Sequence, residues 1–384
     1  MSLCYRLLVK KFTYFSLYFS EGAPIGFIWW ALPAILTKQG LTTTEIATIS
    51  ALAVIPWTFK FLLGPIVDLL SMKIFKLRYQ IVFYQLLMGA TLLFFEEAIM
   101  SKDSSYILTV LICHGFFAAL QDISIDTMAI RGLNKNELGS MNGIMQSGML
   151  VGRSIFGGAG VYLAHYFGLQ ITIYILIGSI WISLILIQSS KLAQIKVDSI
   201  KLADYLTDFF SLIKQKKFWL LIGVAYFATY SYNGISTIAG SVLTNFGASS
   251  LLYATTYSLS IPISMSIGAL TGGLLSDKFE SSRVLKASLI LSILSSVFVG
   301  FMIDNFSGIY SLVISYVIFY FFIGTTTATL YGLLMKNTSK KFAALEFSLF
   351  MGIVNLSDSS TSYATGQLIL NYNYMQTTLF IGLA

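Results

Sequence analysis

Long apolar runs alternate with short polar connections along almost the whole chain. Runs bounded by charged or turn residues fall at about 12–36, 43–70, 79–99, 105–129, 138–165, 169–189, 218–240, 251–276, 284–303, 307–335 and 343–370. A helix rising about 1.5 Å per residue needs about 20 residues to cross the hydrocarbon core of a bilayer. Each of these eleven runs meets that length, so the pattern predicts an all-α polytopic membrane protein. A twelfth run starts near Met375 and stops at Ala384, which predicts a truncated last helix. The segment Met1–Lys11 is short and basic and no small-residue cleavage site follows it, so the first helix is read as retained.

The polar connections give the orientation. Twenty of the 24 lysines and arginines fall in one alternating set of connections, which holds Arg6, Lys10 and Lys11, then Lys73, Lys76 and Arg78, then Arg131 and Lys135, and so on to Lys341. The opposite set holds only Lys38 and Lys102, and the remaining two, Lys60 and Arg153, lie inside runs. Positive charge stays on the cytoplasmic side, so the N-terminus is expected in the cytoplasm. The longest polar stretch, Gln188–Lys217, has mixed charges that suit a linker with an amphipathic helix on the membrane surface. It divides the chain into an N-terminal helical bundle (1–189), a cytoplasmic linker (190–217) and a C-terminal helical bundle (218–384).

The two halves echo each other. The second run ends Gly64-x-x-x-Asp68 and the eighth ends Gly273-x-x-x-Asp277, each before a basic loop, and each carries an internal proline, Pro56 or Pro262. A parallel repeat about a central loop is a construction used by transporters of alternating access. The helix-end aspartates are read as gate latches that pair with loop cations; Asp68 is expected to reach Lys73 or Arg78.

Composition narrows the class further. The chain is 56% hydrophobic and 11% charged, against about 25% charged in ordinary soluble domains. The net charge of +7 is spread over alternate loops rather than one face, which excludes nucleic-acid binding. Two cysteines (Cys4, Cys113) and two histidines (His114, His165) support neither a disulfide framework nor a zinc site, so no metal and no cofactor are expected. A membrane-embedded enzyme would want a catalytic constellation, and neither histidine has a partner for one, so the chain is read as a non-enzyme.

Charges inside apolar runs cost at least about 2.5–3.5 kcal/mol each and so mark function or internal pairing. Glu21 stands beside Gly22, Pro24 and Gly26, and Lys60 follows Pro56 and Trp57. A Glu21–Lys60 pair would be structural; a Glu21 that exchanges a proton would couple transport. His114, Asp122 and Asp126 share one helical face. His114 is read as a core histidine, Asp126 as a helix-end group, and Asp122 as a proton-coupling, substrate-contacting or structurally paired carboxylate. Arg153 sits among Gly148, Gly152, Gly157 and Gly158 and must meet an anion, either a carboxylate such as Asp122 or a substrate carboxylate or phosphate. In the second half Asp358 stands near the repeat-equivalent place of Arg153, and Tyr230, Tyr232, Asn233 and Tyr331 are read as belt or packing residues or as lining of a sugar- or peptide-binding cavity.

Three stretches resemble a known family. Tyr18-Phe-Ser-Glu21-Gly22-Ala-Pro24-x-Gly26 with Leu32-Pro33, Pro56-Trp57-x-x-Lys60-Phe61-x-x-x-Pro65-x-x-Asp68, and Gln121-Asp122-Ile-x-x-Asp126 are similar to the AmpG-type permeases and acetyl-CoA transporters, one branch of the major facilitator superfamily. The resemblance covers the first half in order; the second half matches by architecture. It implies a major facilitator fold of two six-helix bundles in the bacterial inner (plasma) membrane. It also implies a proton symporter that takes up 1,6-anhydro-muropeptides for peptidoglycan recycling. On that view Glu21, Lys60, Asp122, Asp126, Arg153 and Asp358 lie about the substrate and proton pathway, while Gly64, Asp68, Arg78, Gly273 and Asp277 form the gating motif. The partners expected are a small glycopeptide or organic anion, protons and membrane lipid, with the chain acting as a monomer. Acetyl-CoA or another organic anion is the alternative cargo, and a degenerate non-transporting paralogue the alternative fate.

Overall fold

The computed structural model describes residues 3–73, 75–189, 201–305 and 308–383. Among these the chain forms helices and no strand. The long helices are α1 (Leu7–Gln39), α2 (Thr43–Met72), α3 (Leu77–Ser101), α4 (Ser104–Gly132), α5 (Leu138–Tyr166), α6 (Leu169–Ser189), α8 (Lys216–Asn245), α9 (Ser250–Lys278), α10 (Ser281–Asp304), α11 (Ile309–Asn337) and α12 (Ala343–Ile369). Two shorter ones, α7 (Leu202–Ile213) and α13 (Tyr374–Leu383), precede α8 and follow α12. Eight of the long helices are both long and apolar enough to cross a membrane. The other three, α5, α8 and α12, are as long, at 29, 30 and 27 residues, but carry more glycine and polar side chains.

Local chemistry sets the ends and breaks of these helices. Thr42 and Glu45 form a capping box that starts α2, and Asp103 caps α4 by accepting from Ser105 N at 2.8 Å. Gly40, at φ +92°, closes α1 in the left-handed conformation that an L side chain resists. Proline lacks the donor for an i→i−4 bond, and the prolines inside α2 and α9 accompany departures from α geometry. Beyond Pro56, α2 tightens into the 3₁₀ turn Lys60–Leu63; ahead of Pro262, α9 widens into the π turn Thr256–Ser260. α1 widens similarly at Phe27–Ala31 before Pro33. The repeated prolines of the two sequence halves thus mark repeated helix breaks.

The helices form two compact units. Unit 1 comprises Met1–Leu133, Gly148–Thr207 and Thr338–Leu349, and its core includes Phe27, Leu36, Met88, Phe95, Leu111 and Leu176. Unit 2 comprises Asn134–Ser147, Asp208–Asn337 and Phe350–Ala384, with Ile235, Val242, Val299, Tyr316 and Phe319 in its core. Unit 1 therefore takes in the start of α12, and unit 2 the start of α5. In unit 2, α13 packs on α8 and α10, with Ile381 against Gly234 and Gly382 against Ser296. Many large apolar side chains remain exposed, Leu62, Ile185, Phe227 and Leu370 among them, as lipid-facing surfaces require. The linker's helix is α7, and residues 190–200, with Lys191 and Lys196, lie outside the described residues.

Candidate functional site

Glycine creates the first site by bringing α1 and α5 into backbone contact. A Cβ on Gly22 or Gly26 would collide with the backbone of Met149 or Arg153, and one on Gly148 or Gly152 with the carbonyls of Phe15 or Phe19. Such small residues let helices approach until their backbones touch. The contact fixes Arg153, half-buried, beside the turn of α1 that carries Glu21. Ser20 ties the same turn to α3 and α4, accepting from Gln85 at 2.7 Å and from Gln121 at 3.3 Å. Trp57 of α2 lies against Gly115 of α4, where an added Cβ would stand 2.7 Å from the ring.

Within this frame the buried charges of unit 1 meet. Lys60 Nζ lies 2.7 Å from Asp122 Oδ2, with both side chains almost fully enclosed. The tight turn that begins at Lys60 turns this side chain toward α4 instead of outward to an interface. Tyr18 donates a short hydrogen bond to Asp126, one turn further along α4. Glu21 is 2% exposed, within electrostatic reach of Asp122, Lys60, Asp126 and Arg153, and its Oε2 has no hydrogen-bond partner among the described residues. Three carboxylates and two cations thus share one buried region of unit 1.

Several expectations change here. Lys60 pairs with Asp122 rather than Glu21, because both project from the facing sides of α2 and α4. Asp126 is buried and bonded rather than a solvated helix end. His114 is enclosed, with Nδ1 2.9 Å from the Met88 carbonyl, as a core histidine is. Asp358 lies in unit 2, exposed near the middle of α12.

The second site is the pair of Gly-x-x-x-Asp motifs. Gly64 lets α2 close on the first turn of α12, where a Cβ would stand 2.6 Å from Leu345 Cα. Asp68 then caps that helix: its carboxylate accepts from the backbone N–H groups of Ala344 and Leu345, both at 3.2 Å. Arg131 adds a buried ion pair at 2.5 Å and Tyr205 of α7 a hydrogen bond at 2.8 Å. Anions are stabilised at a helix N-terminus by its free N–H groups and dipole, and here four donors from three helices saturate one carboxylate. Burial and the Asp68 charge push the Tyr205 phenol well above its ordinary range, so it stays a neutral donor.

Unit 2 repeats the device. A Cβ on Gly139 would lie 2.7 Å from both the Gly273 carbonyl and Asp277 Oδ1. Asp277 caps α5, accepting from Gly139 N at 2.9 Å and Ser140 N at 2.6 Å, and pairs with Lys336 at 3.0 Å. Arg78 takes no part in the Asp68 site; its guanidinium is bound to the Gln188 carbonyl. A helix-end cation pairs with the motif aspartate in each unit, Arg131 at the close of α4 and Lys336 at the close of α11, while the side chain of Lys73, the other expected partner of Asp68, lies outside the described residues. Sequence reasoning counted Arg131 and Lys336 only as loop charges, although their matching places in the two halves were a usable signal. Tyr18 figures in the sequence only as the head of the first family-like stretch, with no role read for it, and nothing in the sequence singles out Tyr205.

The model of the Major Facilitator Superfamily matches residues 12–362. The chain belongs to the Major Facilitator Superfamily. Its fold is that of solved transporters of the superfamily. The transporter FucP in its outward conformation aligns over 98% of this chain and 96% of its own, with a TM-score of 0.72 at 16% identity. The human organic anion transporter MFSD10 (TETRAN) aligns over 100% and 97%, with a TM-score of 0.73 at 11% identity. The proton:xylose symporter XylE aligns over 98% and 92%, with a TM-score of 0.72 at 9% identity. This is a multi-pass membrane protein of the major facilitator fold, consistent with secondary active transport of a small molecule.

Proposed function

We propose that this protein imports 1,6-anhydro-muropeptides across the bacterial inner membrane, driven by the inward proton gradient, with its N-terminus in the cytoplasm. The observation that carries the reading is the buried cluster of unit 1. Glu21, Asp122 and Asp126 against Lys60 and Arg153 leave an excess of one negative charge, which a single proton on Glu21 cancels. Lys60 pairs with Asp122, and Arg153, half-buried beside Glu21, is the cation proposed to hold a substrate carboxylate. The resemblance of the Glu21, Lys60 and Asp122 stretches to AmpG-type permeases supplies the cargo.

Another organic anion is the second reading, favoured by the presence of Arg153 alone. Acetyl-CoA, with several phosphate charges, would need more cations than the two inside these helices. Substrate counterflow separates the roles. Glu21→Gln should keep equilibrium exchange of labelled muropeptide and lose gradient-driven accumulation, whereas Arg153→Gln should lose both. Accumulation by the Glu21→Gln variant equal to that of the parent would remove Glu21 from coupling. Exchange of acetyl-CoA but not of muropeptide would replace the cargo.

A further inference from the structure

Unit 2 offers a chemistry opposite to that of unit 1. Apart from side chains within two turns of a helix end, Asp358 is its one charged residue among the described residues. An ionisable side chain near the middle of a membrane helix faces a bundle interior or water, not lipid. On α12, Asn355, Asp358 and Ser359 are exposed and Ser362 half-buried, at spacings of three, four and seven residues that place them on one face. Leu356, Tyr363 and Leu370, also exposed, form a separate stripe at seven-residue spacing that suits lipid.

Paired hydroxyls join α12 to α8, at Ser362 on this face and at Ser360, which lies on the other side of α12 from Asp358. Tyr226 Oη lies 2.8 Å from Ser360 Oγ, and Thr237 Oγ1 lies 2.8 Å from Ser362 Oγ. In both pairs either atom can be the donor. Tyr230 lies one turn from Tyr226, their rings 6.1 Å apart, and Asn233 lies between Tyr230 and Thr237 along the helix.

We infer that this face of unit 2 binds a neutral, polyhydroxylated group, a sugar ring, with Asp358 accepting from adjacent sugar hydroxyls. Sugar hydroxyls both donate and accept, as the Thr237–Ser362 pair does. Tyrosine rings offer a flat apolar surface to the C–H face of a pyranose, with a polar tip beside it. A carboxylate makes the stronger, charge-assisted bond to a hydroxyl donor. An anionic group would meet Asp358 here, with no mid-helix cation among the described residues of unit 2. The inference rests on the muropeptide reading above and assigns the disaccharide of that substrate to unit 2.

The test is binding of two halves of the substrate to the full-length protein in lipid nanodiscs, measured by calorimetry. The probes are the anhydro-disaccharide with its lactyl carboxylate amidated, and the free stem peptide. Asp358→Asn and Thr237→Val should each weaken the disaccharide by about tenfold, the loss expected of one good hydrogen bond, and leave the peptide unchanged. Unchanged disaccharide affinity in both variants overturns the inference, as does a parent protein that fails to bind the disaccharide at millimolar concentration. Muropeptide accumulation alongside either result leaves the importer reading standing without the sugar face. Disaccharide binding weakened by the variants, in a protein that accumulates no muropeptide, does the reverse.

Discussion

Lys60 and Asp122 show how a membrane interior handles charge at the scale of single residues. Removing one member of a buried ion pair strands the other, a loss of about 3–5 kcal/mol, whereas replacing both with neutral groups of similar volume is often close to neutral. Lys60→Met should therefore unfold detergent-solubilised protein at markedly lower temperature than the parent. The Lys60→Met/Asp122→Asn pair should recover most of that loss. A double variant as unstable as the sum of its singles would show that the two residues do not act together. Glu21 is the cleaner handle on coupling, since Asp122→Asn would also break the pair with Lys60. The sequence made these charges visible because each sits in an apolar run. It did not show which would meet, since partners 62 residues apart in the chain are chosen by how α2 tightens after Pro56.

Elements rather than residues explain the glycine patterns. Gly22, Gly26, Gly148 and Gly152 hold α1 on α5 at backbone contact, so Gly22→Leu should prevent that approach and sharply reduce the yield of folded, monodisperse protein. Normal yield would mean that α1 and α5 can separate without consequence. The Gly-x-x-x-Asp motif has the same logic with a charge added: glycine admits a helix end, and aspartate four residues on caps it. Its repetition was legible in the sequence. The capped helix was not, because Ala344 lies 276 residues from Asp68 and Gly139 lies 138 residues from Asp277. Tyr205 adds a donor from α7 to the Asp68 site only, so Tyr205→Phe should loosen that cap while leaving the Asp277 cap intact. A cysteine placed at Ala344 should then be alkylated faster in the Tyr205→Phe background, and one placed at Ser140 at the parent rate. Equal rates at Ala344 in both backgrounds would make the phenol a bystander. Because burial and the Asp68 charge keep the phenol neutral, its own ionisation does not alter this difference at neutral pH.

At the scale of the whole molecule, the chain states one plan twice. Each half supplies a proline-broken helix, a glycine–aspartate end, and a cation at the close of a later helix. The halves then diverge: charge is concentrated in the helices of unit 1, and hydroxyl, amide and tyrosine groups in those of unit 2. The fold was readable from apolar run lengths and the alternation of basic loops because the bilayer imposes both. The cargo was not, because sequence alone cannot say which polar side chains share a face in space. The central claim is that this superfamily member accumulates anhydro-muropeptides at the expense of a proton gradient. Uptake of labelled anhydro-muropeptide into proteoliposomes, with and without an inward proton gradient, tests it most directly. Accumulation above equilibrium with the gradient, collapsing to equilibrium when the gradient is dissipated, is the result predicted. Folded protein that takes up no muropeptide, or takes it up equally with and without the gradient, would contradict it.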